Sequence, residues 1–95
     1  MNINIQSLKF KASDRLNEFI QDKIQRLTKH LQQEATGVDV TLKLEQDHEH
    51  GNKIAEIRIH VPQHELFASK QAKTFEEAVL EACDALKTQI EKIKK

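Results

Sequence analysis

The amino-acid sequence predicts an α+β fold, a two-layer sandwich in which a four-stranded sheet carries two helices on one face. Two long segments repeat apolar residues at helical spacing, and several shorter ones alternate strictly between polar and apolar residues. Such strands give a sheet one apolar face, which amphipathic helices can cover. The predicted order is β-α-β-β-β-α. Since 95 residues suffice for one core of this kind, we expect residues 1–95 to form a single domain.

The first strand and the first helix have clear signals. Residues 1–8 begin with alternating Asn and Ile, which is typical of a strand. Ser13 is a candidate N-cap, and Asp14 suits the first helical turn. We predict a helix from about Asp14 to about Gln33, closed by Thr36-Gly37 because glycine adopts the left-handed C-terminal turn without steric cost. Its apolar stripe comprises Leu16, Phe19, Ile20, Ile24, Leu27 and Leu31.

Three more strands are predicted in the middle of the chain. Residues 38–45 alternate between apolar and polar side chains, and residues 55–61 do the same. Pro62 cannot donate a hydrogen bond to a neighbouring strand, so it ends the second of these segments. A short strand covers about 65–70. The strand–helix–strand crossover at the start should be parallel and right-handed, and the later strands should form a meander.

The second helix has the best start signal in the chain. Residues 74–77 match a capping box, in which the Thr74 hydroxyl and the Glu77 carboxylate each satisfy a backbone N–H. The helix is acidic at its start and basic at its end, which is typical of a charge pattern that complements the helix dipole. A basic binding surface is the alternative interpretation. The buried stripe comprises Phe75, Ala78, Val79, Ala82, Cys83, Leu86, Ile90 and Ile93.

The stretch "EQDHEHGNK" places His48 and His50 beside Asp47 and Glu49, and these are residue types that bind divalent metals. It lies between the second and third predicted strands and is rich in turn-forming residues. A catalytic zinc site needs three ordered ligands, and the other histidines do not converge on this loop. We therefore interpret it as a solvated turn and expect no metal and no cofactor.

The sequence offers little support for catalysis. Two glycines in the whole chain leave no phosphate-binding loop. Cys83 lies on the predicted apolar stripe, and Ser13 and Thr74 are explained as helix caps. No spacing indicates a nucleophile–base pair or paired carboxylates. We expect a protein that is not an enzyme, with no catalytic residues and no small-molecule substrate.

The chain has the features of a cytoplasmic protein. No apolar run approaches the roughly 20 residues of a membrane span, so we expect no membrane association. The first residues lack the basic and apolar segments of a secretory signal. A single cysteine, Cys83, excludes an internal disulfide and fits a reducing compartment.

Basic residues are the remaining functional candidates. Fifteen Lys and Arg balance fifteen Asp and Glu, which argues against a dedicated nucleic-acid binder. However, Lys23, Arg26 and Lys29 recur at three-residue spacing along one flank of the first helix. Lys43 and Arg58 point away from the apolar faces of their strands. Either these are ordinary solvated charges or they track a phosphate backbone without reading its sequence.

Several segments together carry a family resemblance that covers essentially the whole chain. The helix "DRLNEFIQDKIQRLTKHL", the strand "VDVTLKLE" with Lys43, and the strand–loop–helix "ELFASKQAKTFEEAV" occur in order, followed by the closing "ACDALKTQIEKIKK". In this order they resemble the short ribosome hibernation factors, which comprise hibernation-promoting factor and ribosome-associated inhibitor A. In that family, the positions matching Ala85 and Thr88 are commonly basic, and here they are not.

The resemblance implies a translation inhibitor that binds the small ribosomal subunit in the mRNA/tRNA channel and keeps ribosomes inactive during stasis. Its partner would be ribosomal RNA. The alternative is a protein-interaction module of the same fold, a homodimer or a binder of a non-ribosomal partner, that has lost strong RNA binding. The positions that match RNA-contacting residues of the family are Lys23, Arg26, Lys29, Lys43 and Lys92.

Overall fold

A computed structural model describes residues 2–31, 35–46 and 51–93, and it has the predicted element order. A four-stranded sheet has the strand order β1-β2-β3-β4. The predicted α+β fold is confirmed. The elements are β1 (Asn2–Ser7), α1 (Asp14–Thr28), β2 (Gly37–Leu44), β3 (Lys53–Val61), β4 (His64–Ala72) and α2 (Phe75–Ile93).

The sheet has the predicted mixture of parallel and antiparallel pairing. β1 pairs with β2 in parallel, so that Ile5 lies opposite Val40. β2, β3 and β4 are antiparallel neighbours, with Val40 opposite Ile57 and Ile57 opposite Ala68. This parity places the buried apolar side chains of the inner strands on one face, where the helices pack, and leaves on the other side an open face that is mainly polar but includes Ile54.

The core lies between the sheet and the two helices. Its fully buried side chains include Ile20 and Ile24 of α1, Leu86 and Ile90 of α2, and Ile57 of β3. No charged or polar residue is buried in the described ranges. The hydrophobic effect therefore holds the two layers together, and the charged side chains of these ranges remain at the surface.

The first helix is shorter than the sequence predicts. It ends at Thr28, and the prediction of Gln33 as its last residue was wrong. The Thr28 hydroxyl donates to the Ile24 carbonyl at 3.0 Å, and the next amides, starting with His30, bond to carbonyls three residues back, which tightens the turn. Gly37 does not close the helix, because it is the first residue of β2 and pairs with Asn2 and His60.

The ends of the other elements largely follow the predicted signals. β3 ends before Pro62, whereas β4 is longer than predicted. Thr74 caps α2, since its hydroxyl accepts a 3.1 Å hydrogen bond from the Glu77 amide. The reciprocal bond from the Glu77 carboxylate does not occur among the hydrogen bonds of the described residues. None of the helices so described has the length and apolar character needed to cross a membrane.

Candidate nucleic-acid interface

A groove between α1 and α2 collects charged side chains above an apolar floor. It has a volume of about 190 Å³ and is open to solvent. We call it the helix groove. Lys23, Arg26 and Leu27 of α1 line it, together with His30 just after that helix. From α2, the lining residues are Leu80, Cys83, Asp84 and Lys87.

The α1 wall of the helix groove is formed by two cations arranged around Asp22. Arg26 Nε lies 3.2 Å from an Asp22 carboxylate oxygen, one helical turn away. Lys23 Nζ is 3.9 Å from the same carboxylate and 5.3 Å from the centre of the Phe19 ring. The Arg26 side chain is 68% exposed, so its pair with Asp22 is worth about 0–1 kcal/mol. A phosphate can replace that partner at little cost.

The floor and the α2 wall combine apolar and charged groups. Leu27 is buried, whereas Leu80 is 43% exposed. Cys83 is half-buried between them, and burial, aided by nearby Asp84, raises the pKa of its thiol to about 11. The thiol is therefore neutral near pH 7 and adds no negative charge to the floor. Lys87 supplies the cation on the α2 side.

The structure separates the other predicted binding residues. Lys29 is the exposed C-cap of α1, one turn after Arg26, and so extends the α1 row. Lys43 lies on the open face of the sheet, where its Nζ is 3.0 Å from Glu56 Oε2. Lys92 is exposed on α2, three residues after Gln89, whose amide bonds to the backbone of Phe67 in β4. Lys92 therefore lies on the β4 side of α2, away from the helix groove.

The open face of the sheet carries a chain of side-chain contacts that crosses all four strands. Asn4 of β1 donates to Asp39 of β2 at 3.2 Å, and Asp39 lies 2.8 Å from Nε2 of His60 on β3. His60 and Arg58 both approach Glu65 of β4, at 3.5 and 3.1 Å. Hydrogen bonding from His60 and then Asn4 holds the pKa of Asp39 below its usual value. The cations of this face already have carboxylate partners.

The chain matches the profile of the family described as Sigma 54 modulation protein / S30EA ribosomal protein over residues 3–95. It belongs to this family. The family predicted from the sequence is thereby confirmed. No curated protein matches the chain in a search by sequence.

Two solved structures are similar to this member of the S30EA family over nearly their full lengths. One, described as a ribosomal subunit interface protein from Coxiella burnetii, has a TM-score of 0.84 and 20% identity, covering 99% of this chain and 98% of that one. The other is the N-terminal domain of Thermus thermophilus Protein Y, with a TM-score of 0.82 and 22% identity, covering 98% and 99% respectively. At these identities the likeness establishes the fold.

The helix groove contains residues that the sequence interpretation left out of the binding set. Lys87 and His30 both line it, but neither matches a family position that suggested RNA contact. A sequence signal for Lys87 exists: it follows Cys83 by four residues and Leu80 by seven, so the three form one row along α2. That row becomes meaningful only when the structure shows that it faces α1.

The predicted histidine turn lies outside the described residues, since Asp47, His48, Glu49 and His50 are not among them. Within the described ranges, no group of three His, Cys, Asp or Glu side chains is placed to hold a metal. The pKa shifts in the same ranges fall on exposed Asp39 and on the Cys83 thiol, whose upward shift makes it less nucleophilic. These groups do not form a catalytic arrangement.

Proposed function

We propose that this protein is a non-enzymatic translation inhibitor that binds the small ribosomal subunit in the mRNA/tRNA channel and keeps ribosomes inactive during stasis. It acts in the cytoplasm, and its ligand is ribosomal RNA. Membership of the S30EA ribosomal protein family supports action on the ribosome. The name of the Coxiella burnetii relative, a ribosomal subunit interface protein, points in the same direction.

The observation that carries the proposal is a row of at least partly exposed cations on α1, two of which line the helix groove. Lys23, Arg26 and Lys29 follow one another along α1 within one Debye length, and Lys23 and Arg26 share the exposed Asp22 as an acidic partner. Their positive field attracts phosphates, and contacts of this kind bind RNA without reading its sequence. Net charge sums over the whole chain, so a value of zero still allows a local excess of positive charge, which here is three cations beside Asp22.

The five positions that match RNA-contacting residues of the family lie on three different surfaces of the protein. Lys23, Arg26 and Lys29 lie on the helical layer, Lys43 on the open sheet face, and Lys92 on the β4 side of α2. A single RNA strand on one side cannot meet all of them, since the domain is 39 × 26 × 19 Å. The proposal therefore depends on the row of cations on α1, while Lys43 and Lys92 lie on other surfaces.

The size of the helix groove favours an RNA ligand over a small molecule at this site. The helix groove encloses about 190 Å³, whereas pockets for drug-sized ligands enclose roughly 300–1,000 Å³. Its charged rim is exposed, so a bound molecule keeps much of its surface in water. An extended polymer suits such a groove better than an isolated substrate does.

Sedimentation of the protein with ribosomes at two salt concentrations tests the proposal. We expect the protein to migrate with small subunits at low salt and to leave them as salt rises, because phosphate contacts release condensed counterions. Binding to large subunits alone, or binding that salt does not weaken, would contradict it.

The open face, with its cations already paired, favours an alternative in which the domain binds another protein or itself. Migration as a free dimer in the same gradient would support that alternative.

A further inference from the structure

We infer that the helix groove holds one nucleotide of a single-stranded RNA segment, with Lys87 of α2 completing a phosphate-binding rim that α1 begins. This inference rests on the proposed function and names the part of the surface that makes the closest RNA contact. It differs from the set suggested by the family resemblance, because it replaces Lys92 with Lys87 as the cation that α2 contributes. It also assigns a role to the exposed Leu80.

The rotation of α2 decides between the two lysines. Leu80, Cys83 and Lys87 are three or four residues apart and all line the helix groove. Gln89 lies on another flank, since its amide donates to the Phe67 carbonyl at 2.8 Å and accepts from the Phe67 amide at 3.3 Å. Lys92 follows Gln89 by three residues and shares its side of the helix. Of these two lysines, Lys87 is the one that lines the helix groove opposite the cations of α1.

The two walls of the helix groove present positive charge to the same space. Lys23 and Arg26 line it from α1, and Lys87 lines it from α2. Lys23 is also close enough to α2 to affect Cys83. Burial and Asp84 raise the pKa of the Cys83 thiol, and the charge of Lys23 opposes this rise. A phosphate group between the walls meets cations from both helices. The single carboxylate among the lining residues, Asp84, leaves the rim with an excess of positive charge.

The floor of the helix groove explains why the ligand is a nucleotide and not a phosphate alone. Leu80 is 43% exposed although it belongs to a helix with a well-buried stripe, and buried Leu27 and half-buried Cys83 extend the apolar area. An unstacked base or ribose placed there removes this apolar surface from water. Bases are accessible in this way in single strands, loops and bulges, whereas in duplex RNA they stay stacked.

Salt-dependent binding of four variants to purified small ribosomal subunits tests the inference. Lys87→Gln should weaken binding several-fold and lower the slope of log affinity against log salt by about 0.7–0.9, the contribution of one phosphate contact. Lys92→Gln removes the same charge from the same helix and should change the slope by much less. Lys87→Arg should keep the wild-type slope. Leu80→Asn should weaken binding without changing the slope, because it removes apolar contact and no charge.

Leu44 provides a matched control for the last variant, because it is 45% exposed and lies at the end of β2, outside the helix groove. Leu44→Asn should leave binding unchanged. An unchanged slope in Lys87→Gln, together with a lowered slope in Lys92→Gln, would overturn the assignment of the helix groove while leaving the proposed function intact. Equal effects of the two leucine variants would overturn the role of the floor. Failure of the wild-type protein to bind small subunits would overturn both proposals.

Discussion

The helix groove and the open face of the sheet both carry cations, but they hold them in different ways. On the open face, Lys43 lies 3.0 Å from Glu56, and Arg58 lies 3.1 Å from Glu65 on the neighbouring strand. In the helix groove, the acidic partner of Arg26 is Asp22, which lies one turn away on the same helix. Charges on the open face link strands to one another, whereas the cations of the helix groove face outward over an apolar floor.

This difference shows why net charge is a poor guide to what such a domain binds. Pairs across strands satisfy both charges, so an RNA phosphate that reached Lys43 would have to compete with Glu56. The Lys43 side chain is 36% exposed and Glu56 27%, so this pair is less open to solvent than the pair of Arg26 with Asp22. RNA should therefore choose the helix groove, although both regions contain comparable numbers of basic side chains.

The largest expected effect comes from reversing the charge of the α1 wall. Lys23→Glu combined with Arg26→Glu should lower affinity for small subunits by about 100-fold at low salt, because two phosphate contacts are lost and two repulsive charges are placed beside the RNA. Ribosome co-sedimentation measures this directly. Thermal unfolding serves as the control, since both side chains are at least partly exposed and neither belongs to the core. Wild-type affinity in the double variant would exclude the helix groove as the binding surface.

A smaller effect, confined to stability, should follow from breaking the chain of contacts on the open face. Asp39→Asn should lower the free energy of unfolding by about 0.5–1 kcal/mol at neutral pH and leave ribosome binding unchanged. The pKa of Asp39 is lowered in the folded protein, mainly by hydrogen bonding from His60. Its stabilising effect is therefore present above the ordinary aspartate value and disappears as the pH falls through the lowered one.

Chemical denaturation of the wild type and Asp39→Asn across this acid range measures the pH dependence. The difference between the two proteins should be largest at neutral pH and should shrink below about pH 4. Asn4→Ala removes a neighbouring contact to Asp39 without removing a charge, so it is the control for a simple loss of hydrogen bonding. A difference that grows on acidification would show that the carboxylate does not stabilise the fold in its charged form.

The smallest effect on ribosome affinity is expected from substituting Lys43. This substitution tests whether the open face contributes to binding beside the helix groove. Lys43→Gln should change ribosome affinity by less than about twofold, because Glu56 already neutralises the lysine. Glu56→Gln should release Lys43 and strengthen binding slightly. Titration of each variant with small subunits at one low salt concentration gives the comparison. A large loss in Lys43→Gln would place the open face against RNA and make Lys43 equal in importance to the α1 wall.

The sequence predicted the layers of the fold well because those layers depend on local patterns. Alternation in β2 and β3 identified which side chains face the core, and Ser13 and Thr74 marked the helix starts through hydrogen bonds that lie within four residues. The end of α1 was mispredicted because the apolar spacing continues to Leu31 after the helix has stopped at Thr28. Leu31 still packs against the core, so the pattern predicted the burial of Leu31 correctly and its helical conformation wrongly.

The candidate site was less predictable because it depends on how distant elements are aligned. Lys43 lies directly opposite Ile54, so its contact with Glu56 is diagonal and requires knowledge of the strand register. To decide whether Lys87 or Lys92 lines the helix groove, one must know which side of α2 faces α1. Residue spacing gave the rows of side chains along each element, but only packing shows which rows meet.

A cryo-EM map of small ribosomal subunits saturated with this protein would test the central claim most directly. The account predicts that the helix groove faces ribosomal RNA, with phosphate oxygens within hydrogen-bond distance of Lys23 and Arg26. It also predicts that the pairs of Lys43 with Glu56 and of Arg58 with Glu65 remain intact in the complex. A map in which the helix groove faces solvent, while the open face of the sheet lies against RNA with these pairs broken, would contradict the account.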